Sequence, residues 1–389
     1  MRRCVQHLLL LLLVADVAAG ATITVRKDGT GNFAVIQQAL DVAAAGDTIL
    51  IGPGEYLEHS TVRLSGWSWD IESYANVKVS DLTIIGAGSD QTFVGPATYS
   101  GSSISQSPKA LTCLESGAIR ISNVSLRNCF HGVFLKGQLF MERCTMDNNY
   151  YGVDWVPTGP GGWIKGSQFD FVSPPYDSVA LDVGIGGAGN NILIEDCQFE
   201  HTKTIVRGVS GLTFRRCEFA NSSTGLQVYY TAHVYLEVCT MTNMMVVGVE
   251  LTMGTGAVCE IRGSTISGNQ GTLGSFQSGG QFVVEDSRLE GGTSAILGAR
   301  DGSGPCVIHN CDLIKGSGPA IVCGSFEPAV VHDLRNNYWG TTSEADIQSW
   351  IIDSNDDPNI HATVLYAPFA GQSVPAETTS WGDVKALWR

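Results

Sequence analysis

The chain has 389 residues, 43% of them hydrophobic, and a net charge of −15. Its length suits one large or two ordinary domains. Its acidity argues against nucleic acid and anionic membranes as partners, because both need basic patches. The 46 glycines point to many tight turns rather than long helices.

Residues 1–20 read as a signal peptide. Arg2 and Arg3 form the positive region, the apolar run spans 8–14, and Ala18-Ala19-Gly20 supplies small residues for cleavage. The run is too short to span a bilayer. The expected mature chain starts near Gly20 or Ala21 and is secreted or held at the cell surface. Residues 21–60 read as an amino-terminal cap: 32–45 carries Ile36, Ala39, Leu40 and Ala43 at helical spacing, 48–51 is a short strand, and Gly52-Pro53-Gly54 is a turn. In 61–118 the segment 77–85 has the pattern of a first rung. Trp67, Trp69 and a Ser/Gly-rich stretch at 98–108 mark irregular loops.

A repeat then takes over. Two copies stand side by side in ILIEDCQF and LTFRRCEF, with Cys197 and Cys217 at equivalent places. Aligned on that small residue, the units fall on Val124, Cys144, Ser167, Cys197, Cys217, Cys239, Ser264, Ser287 and Cys311, at intervals of 20 to 30 residues. A strand-period pattern repeated at this length signals a β-solenoid, here of about ten to twelve rungs. The small residues and the apolar residues two places later, such as Phe169, Phe199 and Phe219, are expected to stack inward. Cysteine fits such a ladder as a small buried residue, so the cysteines are expected to be mostly free. Two places before the small residue a second column reads Glu142, Lys165, Glu195, Arg215, Glu237, Arg262, Glu285 and His309. Alternating charge on neighbouring strands predicts an outer-face ion-pair ladder, which removes these residues from any catalytic shortlist.

Residues 61–330 thus form the solenoid, and 331–370 its closing rung and cap. Asn336 to Gly340 close the last turn, 346–352 is a short helix and 363–366 a final strand. Residues 371–389 are a polar linker and a short amphipathic tail with Trp381, Val384, Leu387 and Trp388 on one face.

Both ends carry a resemblance. Asp28, Gly29, Gly31, Phe33, Ile36, Gln37, Ala39, Gly46, Asp47, Ile51, Pro53, Gly54, Tyr56 and Glu58 match the amino-terminal cap of the pectin-lyase-like parallel β-helix superfamily. The carboxy-terminal segment resembles the cap of bacterial right-handed β-helix repeat proteins. The resemblance implies an all-β, right-handed parallel β-helix with a short amino-terminal capping helix. The motifs QDTL, DFIFG, GRPW, GHG, RIK, DPHD and RxPxxR, which mark its enzyme families, are missing from the sequence. No member's catalytic residues can therefore be carried over, and fold alone does not give function.

Each repeat holds a further strand: GVFL, GVDW, ALDV, VRGV, GLQVY and GVEL. Alternation puts Val133, Val153, Leu181, Val206, Leu226 and Val249 inside. It puts Phe134, Asp154, Asp182, Arg207, Gln227 and Glu250 in one outward column. The resemblance implies that this first sheet carries a substrate groove. Asp154 and Asp182 on adjacent rungs are candidate acid and base for glycoside hydrolysis. With Ca²⁺ they are candidate metal ligands, and Arg207 could then serve a lyase reaction on an acidic sugar. Trp155, Tyr176, Gln227, Tyr229 and Glu250 are the candidate substrate-binding residues, with Tyr150, Tyr151, Trp163 and Tyr230 as further aromatics. Cross-strand pairing of Asp182 with Arg207 is the structural alternative. The sequence leaves two functions open: a polysaccharide lyase or hydrolase, and a noncatalytic adhesin or rod. The expected partner is a polysaccharide and the expected state a monomer.

Overall fold

A computed structural model describes residues 20–63, 70–98, 108–114, 117–171, 178–184, 190–252, 256–276, 279–300, 302, 304–324 and 329–373. The signal segment, the carboxy-terminal tail, Trp67, Trp69 and Tyr176 lie outside these residues. The described chain is a parallel β-helix of about 11 turns with two short helices. No described helix is long and apolar enough to cross a membrane.

Each turn lays down three strands on three faces. One sheet, here the ladder sheet, runs through strands such as Asn190–Glu195, Ser210–Arg215 and His233–Glu237. The short-strand sheet has 11 three-residue strands, among them Gln198–Glu200 and Glu218–Ala220. The third sheet holds His131–Glu142 in its first half, then Tyr151–Pro157, Val179–Val183, Lys203–Arg207, Thr224–Tyr229 and Val247–Thr252.

The corner between ladder and short strands explains the sequence repeat. The residue before each small residue takes a left-handed conformation: Asn123, Arg143, Gly166, Asp196, Arg216, Val238, Gly263, Asp286 and Asn310 all have φ between 49° and 57°. That twist aims the next side chain inward, where only a small one fits. Cys144, Cys197, Cys217, Cys239 and Cys311 are buried there, and their thiols approach the carbonyls of the preceding ladder strands. The ten described cysteines are all free and buried. Two places on, Phe169, Phe199 and Phe219 stack at 4.8 and 4.7 Å, adding about 1 kcal/mol per contact beyond area burial.

The charge column forms as expected. Glu142, Lys165, Glu195, Arg215, Glu237, Arg262, Glu285 and His309 are successive register partners. Lys165–Glu195 (3.0 Å), Arg215–Glu237 (2.8 Å) and Arg262–Glu285 (3.3 Å) close as ion pairs.

The ends are covered by different devices. Helix α1 (Ile36–Val42), shorter than the expected 32–45, buries Ile36, Ala39 and Leu40. Its Gln37 accepts from the Asn76 amide and donates to the Asn76 carbonyl, which satisfies the first strand edge. At the far end helix α2 (Glu344–Ser349) buries Ile347, Trp339 is fully enclosed, and Thr363–Leu365 pairs with Val331–Asp333. The acidic turn at Asp353, Asp356 and Asp357 spends its carboxylates on backbone amides of Asn355, Val364, Asp353 and Asn359.

Candidate functional site

The outward face of the third sheet gathers the charged residues that the core alternation pushes out of the solenoid. Val153 and Trp155 point inward, so Asp154 points out. Leu181 and Val183 do the same for Asp182. Phe134, Asp154 and Asp182 are direct register partners, which sets neighbouring Cα atoms about 4.8 Å apart.

The two carboxylates meet different surroundings. The Asp182 side chain is only 3% exposed, and its Oδ2 lies 3.3 Å from Arg207 Nη2. Its buried Oδ1 has no hydrogen-bond partner among the described residues. Burial pushes the carboxyl up to about 6. Arg207 opposes the rise, Asp154 adds to it and Lys203 opposes it more weakly. Desolvation thus outweighs the ion pair. Arg207 keeps 30% of its side chain exposed and lies over the Tyr229 ring at 5.7 Å.

Asp154 is more open, at 18% side-chain exposure, and its Oδ2 sits 3.2 Å from Nε2 of the buried His131. His131 is clamped between the rings of Phe134 and Tyr151, with centroids 4.9 and 5.0 Å away. Burial lowers its imidazole pKa below the ordinary value despite the pull of Asp154. A neutral ring donating Nε2–H to the carboxylate is the arrangement this favours. Lys109 lies over the Phe130 and Phe134 rings at 5.3 and 5.8 Å, and burial lowers its pKa against the attraction of Asp154.

Several expectations need correction. Arg207 is not in the column of Asp154 and Asp182. Asp182 pairs with Ile205, which pairs with Gln227, while Arg207 stands opposite Tyr229. The register shifts between Val179 and Leu181, so Thr204 rather than Val206 fills the inward place beside Leu181 and Leu226. The guanidinium still reaches back to Asp182. Trp155 is not a sugar platform: it is 0% exposed and donates Nε1–H to the Gly137 carbonyl at 2.8 Å. Period-two alternation from Val153 already requires this. Trp163 lies on the ladder sheet beside Phe140. Gln227 and Glu250 do share the outward column and bond to each other at 2.6 Å, with the Tyr229 hydroxyl 3.4 Å from Gln227.

The donor set at Asp154 and Asp182 does not fit Ca²⁺, which takes about 6–8 oxygens. One oxygen of each carboxylate is engaged by His131 or Arg207, and the adjacent guanidinium repels a cation. The one group of three metal-capable side chains among the described residues is Asp170, Glu200 and His201, on the short-strand sheet.

His131 and Lys109 belong to this site and were not singled out in the sequence. A signal was available: HGVFL aligned on YGVDW places His131 over Tyr151, and Lys109 stands two residues before Leu111, as His131 stands two before Val133.

Residues 205–342 match the family model described as a right-handed β-helix region. An alginate lyase from Paenibacillus is similar at 16% identity, covering 67% of this chain and 97% of its own, with a TM-score of 0.38. A PL6 family polysaccharide lyase from Pseudopedobacter saltans is 10% identical over 92% and 96% of the two chains, with a TM-score of 0.47. The catalytic unit of a GH87 α-1,3-glucanase from Streptomyces thermodiastaticus is 11% identical over 94% and 72%, with a TM-score of 0.46. No functionally curated protein matches the chain.

Proposed function

We propose that this is an exported polysaccharide hydrolase that works on the outer face of the third sheet and prefers acidic sugars. One observation carries the reading: two in-register carboxylates sit in environments that separate their roles. Asp182 is buried and titrates near 6, which suits a general acid, while the more open Asp154 is held by His131. Carboxylates on adjacent parallel strands approach the separation of roughly 5 Å used by retaining glycosidases. Asp182 would protonate the glycosidic oxygen, and Asp154 would attack the anomeric carbon and then be released by water. Arg207, over Tyr229 and partly exposed, is the cation that a uronate carboxylate would meet. Binding of that carboxylate would draw the guanidinium off Asp182 and free the acid.

A second reading rests on the same ion pair. An Asp182 side chain so little exposed, 3.3 Å from Arg207, also suits a noncatalytic rod that binds glycan through Arg207, Tyr229 and Gln227. A panel of acidic and neutral polysaccharides, incubated with and without chelator, separates the two. New reducing ends without an unsaturated sugar, lost in Asp154→Asn, support hydrolysis. Unsaturated products would reassign the chemistry to β-elimination, and binding without any cleavage would support the rod.

A further inference from the structure

The outward column that holds Asp154 and Asp182 continues beyond Glu250 as Gly274 and Gly298. Two successive glycines remove the side-chain layer from two adjacent rungs, and the sheet face drops to bare backbone. This floor belongs to a trough of about 360 Å³, also lined by Thr293, Ser294 and Arg300. The volume falls within the range of roughly 300–1,000 Å³ typical of ligand sites. Arg300 lies in register with Phe276, two residues beyond the glycine column, just as Arg207 lies two beyond Ile205. Thr293, Ser294 and Arg300 are exposed.

We infer that this glycine trough is a remote binding subsite for the same saccharide chain, with Arg300 receiving an acidic sugar. The inference rests on the reading that the carboxylate face handles a polysaccharide. Three features of the trough argue for this occupant. It is collinear with the acid pair along the solenoid axis. Its floor is flat and without side chains, which suits the apolar face of a sugar ring. Its walls combine the hydroxyls of Thr293 and Ser294 and the Arg300 guanidinium with apolar residues such as Val246, Pro319 and Val322, a mixture that suits ring hydroxyls, a carboxylate and the C–H face of a sugar. Gly298 stands five rungs beyond Asp182, roughly 24 Å at about 4.8 Å per rung. Only an extended oligomer of several sugar residues would bridge the two places.

The test is calorimetric binding of size-fractionated oligouronates and neutral gluco-oligosaccharides to the full chain carrying Asp182→Asn, which blocks turnover. Gly298→Leu is then added. A Cβ at Gly298 meets nothing closer than the Leu273 carbonyl oxygen at 4.0 Å, so the leucine fills the trough without disturbing the rung, and an unchanged melting temperature verifies this. The expected result is affinity that rises about tenfold from trimer to octamer in the Asp182→Asn chain. With Gly298→Leu that rise is lost while trimer affinity stays the same. Arg300→Ala weakens octauronate binding severalfold and leaves neutral octamers unchanged. A length dependence that survives Gly298→Leu overturns the trough and leaves the carboxylate site standing. Absence of binding by any oligosaccharide overturns both.

Discussion

Replacing Asp182 by asparagine tests whether this residue is a strained acid or an ordinary ion-pair partner. Its carboxyl is raised from 3.8 to about 6 in the folded protein. The native state therefore holds the proton more tightly than the unfolded chain. The contribution to stability is full below about pH 3.8 and is lost as pH rises through about 6. At pH 8 the residue is ionised in both states, and a rise of roughly 2 pH units corresponds to about 3 kcal/mol of native-state destabilisation. Asparagine keeps the shape and removes the charge. The variant is expected to be about 2–3 kcal/mol more stable than the parent at pH 8, a rise of about 2–4 °C in a chain of this size. At pH 4 the two should agree within about 0.5 kcal/mol. Urea and thermal unfolding of both proteins across pH 4–8 measure this directly. A variant less stable than the parent at pH 8 would refute the reasoning, because Asp182 would then be a stabilising partner of Arg207. Stability gained at the cost of activity is the usual signature of a functional site.

Three further outcomes follow from the geometry. Trp155→Ala should cost about 3–5 kcal/mol of stability through the cavity and the lost bond to Gly137, so its effect will be read in the melting temperature rather than in KM. The ten described cysteines should stay unreactive towards thiol reagents in the native protein and react together on unfolding, since burial raises thiols such as Cys144 and Cys311 to about 12. His131→Asn should lower kcat about 10- to 100-fold with KM little changed, because Asp154 loses the ring that orients it; an unchanged kcat would remove His131 from the site.

The solenoid was legible because its constraints are local and repeated. A left-handed corner residue demands a small inward neighbour, and that demand writes Cys144, Cys197, Cys217 and Cys239 at the same place in each unit. The alternating charge column was readable for the same reason. The third sheet was harder, since its strands follow loops of unequal length. One residue absorbed between Val179 and Leu181 moved Arg207 out of its expected column. Trp155 shows a different failure: an aromatic near two acids suggested a platform, although alternation from Val153 already placed it in the core. The raised carboxyl of Asp182 and the clamped ring of His131 depend on how deeply the face is covered, which no spacing in the sequence records.

On the proposed reading Asp182 is the proton donor for cleavage of a polysaccharide on this face. The most direct measurement is the pH dependence of kcat/KM on the polysaccharide that the panel identifies, for the parent chain and for Asp182→Asn. Activity is expected to fall as pH rises through about 6, matching the Asp182 carboxyl, with an asparagine variant at least about 100-fold slower below that pH and the gap narrowing above it. A variant that cleaves at the parental rate would contradict it.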